Sequence, residues 1–211
     1  MNRNASTLVI ACGALAHEIT ALQRINQWSH LAVQCLPADW HNTPEKITPG
    51  VAARIAQARA AGFEHLFVAY ADCGTGGQLD ALLEREGVER LPGAHCYGFF
   101  AGDRLFDELN EAALGSFYLT DFLLRHFDRL VIKGLGLDRH PELLPVYFGN
   151  YTHLVYLAQR ESPDGRALGE AAARRLGLQF TYRLTGYGGL ETGLRRAASV
   201  HPPLDVMTWP N

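Results

Sequence analysis

The sequence predicts an α/β protein of mainly parallel sheets flanked by helices, in two similar Rossmann-like halves packed as one body. Three observations lead there. Short β-branched or aromatic runs alternate with longer stretches of helical period. The order of strand, loop and helix recurs in the second half of the chain. With 211 residues, 47% of them apolar and 19% charged, the chain can bury a real core.

The elements follow in order. TLVIACG (7–13) reads as a first strand and ALAHEITALQRINQW as its helix. HLAVQCLP (30–37) reads as a second strand, followed by the loop ADWHNTPEKI and the Ala-rich helix GVAARIAQARAAG. HLFVAYAD (65–72) is a third strand with its helix at 76–86, and AHCYGFF (94–100) a fourth, short one. In DRLFDELNEAALGSFYLTDFLLRHF, Leu105, Phe106, Leu109, Ala112 and Ala113 keep a 3.6-residue period, with a break near Gly115 before a second helix. Three further segments then run strand-loop-helix, strand-helix, strand-helix: DRLVIKGLGLDRHPELL, HLVYLAQRESPDGRALGEAAARRLG and LQFTYRLTGYGGLETGLRR. HLAVQCLPADWHNTPEKI matches RLVIKGLGLDRHPELL, and HLFVAYADCGTGGQLDALLEREGV matches HLVYLAQRESPDGRALGEAAARRLGL, in the same order. This predicts an internal duplication of residues 1–102 and about 115–198, within an N-terminal half over 1–102 and a C-terminal half over 103–211 that adds connecting helices and the irregular tail HPPLDVMTWPN.

Nineteen Lys and Arg against 22 Asp and Glu give a net charge of -3, so no electrostatic pull toward nucleic acid or an anionic membrane is expected. The apolar run before His17 and Glu18 is too short for a signal core or a membrane span. The expected location is the cytoplasm, where the four cysteines stay reduced.

In an open parallel sheet, ligands bind at the carboxyl ends of the strands. Cys12 ends the first predicted strand, Cys73 the third, and Cys96 lies in or just after the fourth, whereas Cys35 sits inside the second and reads as core. With His41 or His95 beside them, Cys12, Cys73 and Cys96 supply the ligand types of a zinc ion or an iron–sulfur cluster. Three thiolates without a cation would repel one another. The same atoms support a second chemistry, in which Cys73 is a nucleophile, His95 or His41 its base, and Asp72 or Glu18 orients that histidine. A third possibility is that the cysteines are buried core thiols.

Gly74, Thr75 and Gly76 form a turn able to offer N–H groups to a small anion, without the Lys of a P-loop or the dinucleotide fingerprint. Arg139, in GLGLDRHPELL beside Asp138 and His140, is a second candidate for anion binding. Tyr187 lies in LTGYGGLE, which mirrors CGTGGQLD. Asp39 of the loop after the second strand, Asp121 in FYLTDFL, and the tyrosines of YFGNYTHLVYLAQ read equally well as turn, capping and packing residues.

Together ACGAL, LPADWHNTPEKI, DCGTGGQLD, GAHCYGFFAG, FYLTDFLLRHFD, GLGLDRHPELL and YFGNYTHLVYLAQ resemble an uncharacterised bacterial and archaeal family, a domain of unknown function often encoded beside corrinoid-dependent methyltransferases. The resemblance covers about residues 7–195, and the family's motif cysteines match Cys12, Cys73 and Cys96. It implies one-carbon metabolism and a corrinoid protein or methyltransferase as partner, without fixing an activity. The expectation is a metal- or iron–sulfur-binding protein accessory to methyl transfer. The alternatives are a metal-free cysteine enzyme acting on a small anionic substrate and a non-catalytic binding partner of a methyltransferase.

Overall fold

In Thr7–Cys12 (β1), Leu8, Val9, Ile10 and Ala11 are all fully buried, as in a strand covered on both faces. It pairs in parallel with Leu31–Leu36 (β2) and His65–Ala69 (β3), and β3 pairs with the two-residue Glu89–Arg90 (β4), giving the order β2-β1-β3-β4. The intervening helices are Ala16–Ile25 (α1), Ile47–Ala60 (α2) and Gln78–Glu86 (α3). Each turns an apolar stripe inward: Ile19 and Leu22; Ile47, Val51, Ile55 and Ala58; Leu79, Leu82 and Leu83.

The computed structural model describes residues 6–112 and 115–199. They divide into two units, one running to Leu91 and resuming at Glu191, the other Pro92–Leu190. The tail HPPLDVMTWPN lies outside the described residues.

The second unit is built on Ser116–Leu119 (β5), His153–Ala158 (β6) and Gln179–Leu184 (β7), all parallel, in the order β5-β6-β7. Its helices are Cys96–Ala101 (α4), Asp103–Ala112 (α5), Asp121–Arg125 (α6), Leu144–Phe148 (α7) and Gly165–Leu176 (α8), together with the start of Gly188–Ser199 (α9). The two-residue period of the strands sorts its core onto two faces. Tyr118, Val155 and Leu157 pack with Leu105, Phe106 and Leu109 of α5, and Leu119, Leu154 and Tyr156 with Leu124, Ala172, Ala173 and Leu176. The protein is thus an α/β fold with two parallel sheets flanked by helices.

Several expected elements take another form. AHCYGFF is not a strand: Cys96–Ala101 is helical and buries the adjacent Phe99 and Phe100, while the fourth strand is the charged Glu89–Arg90. A short apolar run fits a buried strand and a buried helix equally, and period does not separate them. Ser116–Leu119, just past the expected break near Gly115 and read as part of a second helix, is a strand, and Asp128–Lys133, expected as a strand, is a π-helix. The proposed repeat therefore lacks a second counterpart of β2, although β5-β6-β7 follow the same spatial order as β1-β3-β4.

Candidate functional site

The carboxyl edge of the first sheet gathers sulfur and a buried hydroxyl. Parallel pairing runs to Ala11↔Ala69, and one step further it sets Cys12 beside Tyr70 on the same face. Gly13 then turns the chain so close to β2 that a Cβ there would meet the Leu36 carbonyl at 2.9 Å. Tyr70 is 2% exposed, and its hydroxyl has no hydrogen-bond partner among the described residues. The Cys12 thiol is near enough to act on its ionisation, but not at hydrogen-bonding geometry, and Cys73 and Cys35 also act on it. Burial first, and the thiols after it, push the Tyr70 hydroxyl far above its ordinary range, so it stays a protonated donor. Burial likewise raises the Cys12 thiol. Cys35, expected in the core, is exposed on β2: the outer strand of the sheet leaves one face open there.

The turn DCGTGG encloses its own anion. Asp72 Oδ1 accepts from the Thr75 hydroxyl at 2.6 Å and from Gly77 N–H at 2.9 Å, and Oδ2 accepts from Gly74 and Gly76 N–H at 3.2 and 3.3 Å. The Thr75 hydroxyl, then the Gly77 amide, hold its carboxyl below the usual range. The N–H groups of Gly74 and Gly76 that were expected to face a small anion are thus hydrogen-bonded to Asp72, and Thr75 is buried. Gly74, Gly76 and Gly77 take positive φ, and so does Cys73 at 51°. A left-handed conformation costs a non-glycine residue about 1–2 kcal/mol, here offset by the hydrogen bonds around Asp72. Cys73 is buried at the turn. Arg90, on β4, is raised chiefly by its hydrogen bond to Asp80, with Cys73 a lesser contributor; its Nε and Nη2 donate to the two Asp80 oxygens at 2.6 and 2.8 Å.

The other candidates lie apart from this group in sequence and element. His41 is exposed in the 3₁₀ turn Ala38–Asn42, and Pro44 beyond it packs on Gly74. Cys96 opens α4 in the second unit, with the exposed His95 as its N-cap. Arg139 is exposed after the π-helix, and the Tyr187 carbonyl accepts the Leu190 N–H at the start of α9. Among the described residues no group of three or more His, Cys, Asp or Glu is placed to hold a metal ion. None of their helices is long and apolar enough to cross a membrane.

The corresponding edge of the second sheet is stitched by polar side chains. Asp121 Oδ1 accepts from the Tyr156 hydroxyl at 2.7 Å and from Gln159 N–H at 3.1 Å, while Gln159 Oε1 accepts from Asp121 N–H at 2.8 Å. Tyr70 and Gln159 were absent from the expected site. Tyr70 lay inside an apolar run, with only its place at a strand's carboxyl end to mark it.

Fold and edge residues together define a parallel α/β protein with a thiol-bearing carboxyl edge. The chain belongs to the family described as "Protein of unknown function (DUF1638)", whose model matches residues 35–194. No curated protein and no solved structure matches the chain.

Proposed function

We propose that the protein is a thiol-dependent enzyme in which Cys73 attacks an electrophilic carbon of a small substrate. The observation that carries this reading is the backbone of Cys73 at φ 51°, between a parallel strand and the helix that follows it. A strand-to-helix turn that forces a nucleophile into the left-handed region lifts its side chain to the sheet edge, and strain of this kind gathers at reactive sites. The Arg90 guanidinium, although bonded first to Asp80, lies within electrostatic reach of Cys73, and a positive charge near a cysteine is of the sign that supports a nucleophilic thiolate. Tyr70 supplies a protonated hydroxyl beside it, suited to stabilising negative charge on sulfur or on a developing oxyanion. The resemblance adds a partner of matching chemistry, a corrinoid protein or methyltransferase: a methyl group passing to the thiolate would form a C–S bond as its bond to the donor breaks, the electron pair of that bond leaving with the donor.

Mass-mapped labelling with N-ethylmaleimide tests the reading. Cys73, although buried, is expected to react before the exposed Cys35, and Cys73→Ser to abolish the fast phase. Labelling that begins at Cys35 and spares Cys73 refutes it.

One observation favours a second reading. Cys12 is raised by burial, so a thiolate there needs a cation, and a soft metal ion or cluster held by Cys12 and Cys73 would supply one. Zinc or iron that copurifies anaerobically and is lost in both Cys12→Ser and Cys73→Ser would support it, and metal-free protein with full labelling reactivity would exclude it.

A further inference from the structure

The second unit holds a cleft of about 350 Å³ at the carboxyl edge of β5 and β6, lined by Asp121, Arg125, Tyr156, Arg160, Glu161 and Ser162 among others. Such a volume lies at the small end of metabolite sites, which run from about 300 to 1,000 Å³. Its floor is rigid. Tyr156 is 2% exposed and tied to Asp121, which is itself locked to Gln159. Gly165, at the start of α8, leaves room for the Tyr156 hydroxyl, which would sit 3.1 Å from a Cβ there.

Two features of the lining speak to a ligand. Arg125 and Arg160 are exposed, and their guanidinium groups make no ion pair or hydrogen bond among the described residues. Asp121 spends Oδ1 on both of its hydrogen bonds, and its Oδ2 accepts none among the described residues. The two guanidinium groups are balanced by the carboxylates of Asp121 and Glu161, so the cleft has no net charge to draw in a bare anion. It offers donors for an acid group and an acceptor for an N–H or O–H.

We propose that this cleft binds a small carboxylic acid that also carries an amino or hydroxyl group. The acid lies between Arg125 and Arg160, which meet carboxylates through paired N–H donors, and the amino or hydroxyl hydrogen is donated to Asp121 Oδ2. The site rests on the second unit alone and is independent of the role of Cys73.

Calorimetric titration of the full chain with L-serine, L-lactate, acetate and inorganic phosphate tests it. L-serine or L-lactate is expected to bind at least tenfold more tightly than acetate, which has no donor, and than phosphate. Because L-serine carries both groups, tighter binding of L-lactate identifies the donor as hydroxyl, and tighter binding of L-serine identifies it as ammonium when L-alanine binds as tightly. Arg125→Gln and Arg160→Gln, both at exposed positions, should each weaken that binding at least tenfold. Asp121→Asn keeps an oxygen for Tyr156 and Gln159 but turns N–H groups toward the cleft, so it should abolish the preference over acetate. If Asp121→Asn fails to fold, the arginine variants and the acetate comparison decide. Absence of binding by both donor-bearing acids, tighter binding of phosphate, or affinities unchanged by the arginine substitutions would each overturn the proposal.

Discussion

At residue 73 the structure sets a side chain against its own backbone. If the positive φ is strain held for reactivity, Cys73→Gly should be more stable than Cys73→Ala by about 1 kcal/mol in urea unfolding, though both variants would lack the fast phase of labelling. Equal stability would mean that the turn is unstrained. Tyr70 makes the complementary case. A buried hydroxyl without a partner carries a desolvation cost of about 1–3 kcal/mol, so Tyr70→Phe should raise the melting temperature while slowing maleimide labelling of Cys73. A variant that melts lower would show that the hydroxyl is bonded in solution. Asp72 anchors the turn that follows. Asp72→Asn, which weakens charge-assisted hydrogen bonds to three amides and a hydroxyl, should cost about 1–3 kcal/mol at neutral pH. Because the folded carboxyl is lowered, this contribution is present above the unfolded value of about 3.9. It is lost as pH falls through the folded value, so the wild type and Asp72→Asn should converge in acid. A stability difference that persists in strong acid would remove Asp72's charge from the explanation.

Among the elements, the second unit shows how small residues set helix-to-sheet spacing. Gly169 of α8 lies over β6 and β7, where a Cβ would come within 2.7 Å of the Phe180 ring. Gly169→Val should therefore destabilise by about 1–3 kcal/mol despite valine's better helix propensity, and an unchanged unfolding midpoint would show that α8 rides further out. The same elements mark how far the sequence could be read. The three strands of the first unit that announced themselves by β-branched runs, β1, β2 and β3, are where periodicity placed them. Glu89–Arg90 was invisible because its two residues are charged and two ladder positions leave no pattern. In LVIK and YGFF the apolar residues are contiguous, which does not distinguish strand from helix, and both became helical. Cys12 was legible as a strand-end residue, whereas β3 stops at Ala69 and leaves Cys73 in the turn beyond it. The nearness of Cys12 to Tyr70 required the β1–β3 register, which ends one step before them, and the capture of the turn by Asp72 required its dihedral angles.

Across the whole molecule, chemistry gathers at the carboxyl edges of two parallel sheets, with thiols and a buried hydroxyl in one unit and arginines around a carboxylate in the other. A charge balance of 19 basic to 22 acidic residues directs neither edge toward a polyanion, which fits small-molecule chemistry at both. The first edge differs from an ordinary buried core in one respect that can be measured on the intact chain, the order in which its thiols react. Labelling of all four cysteines with N-ethylmaleimide should be followed by peptide mass, in native buffer and again in urea. A native order led by Cys73, collapsing to similar rates on unfolding, is the result expected of a thiol made reactive by the fold; a native order led by Cys35, with Cys73 silent until urea exposes it, would leave Cys73 a buried core residue.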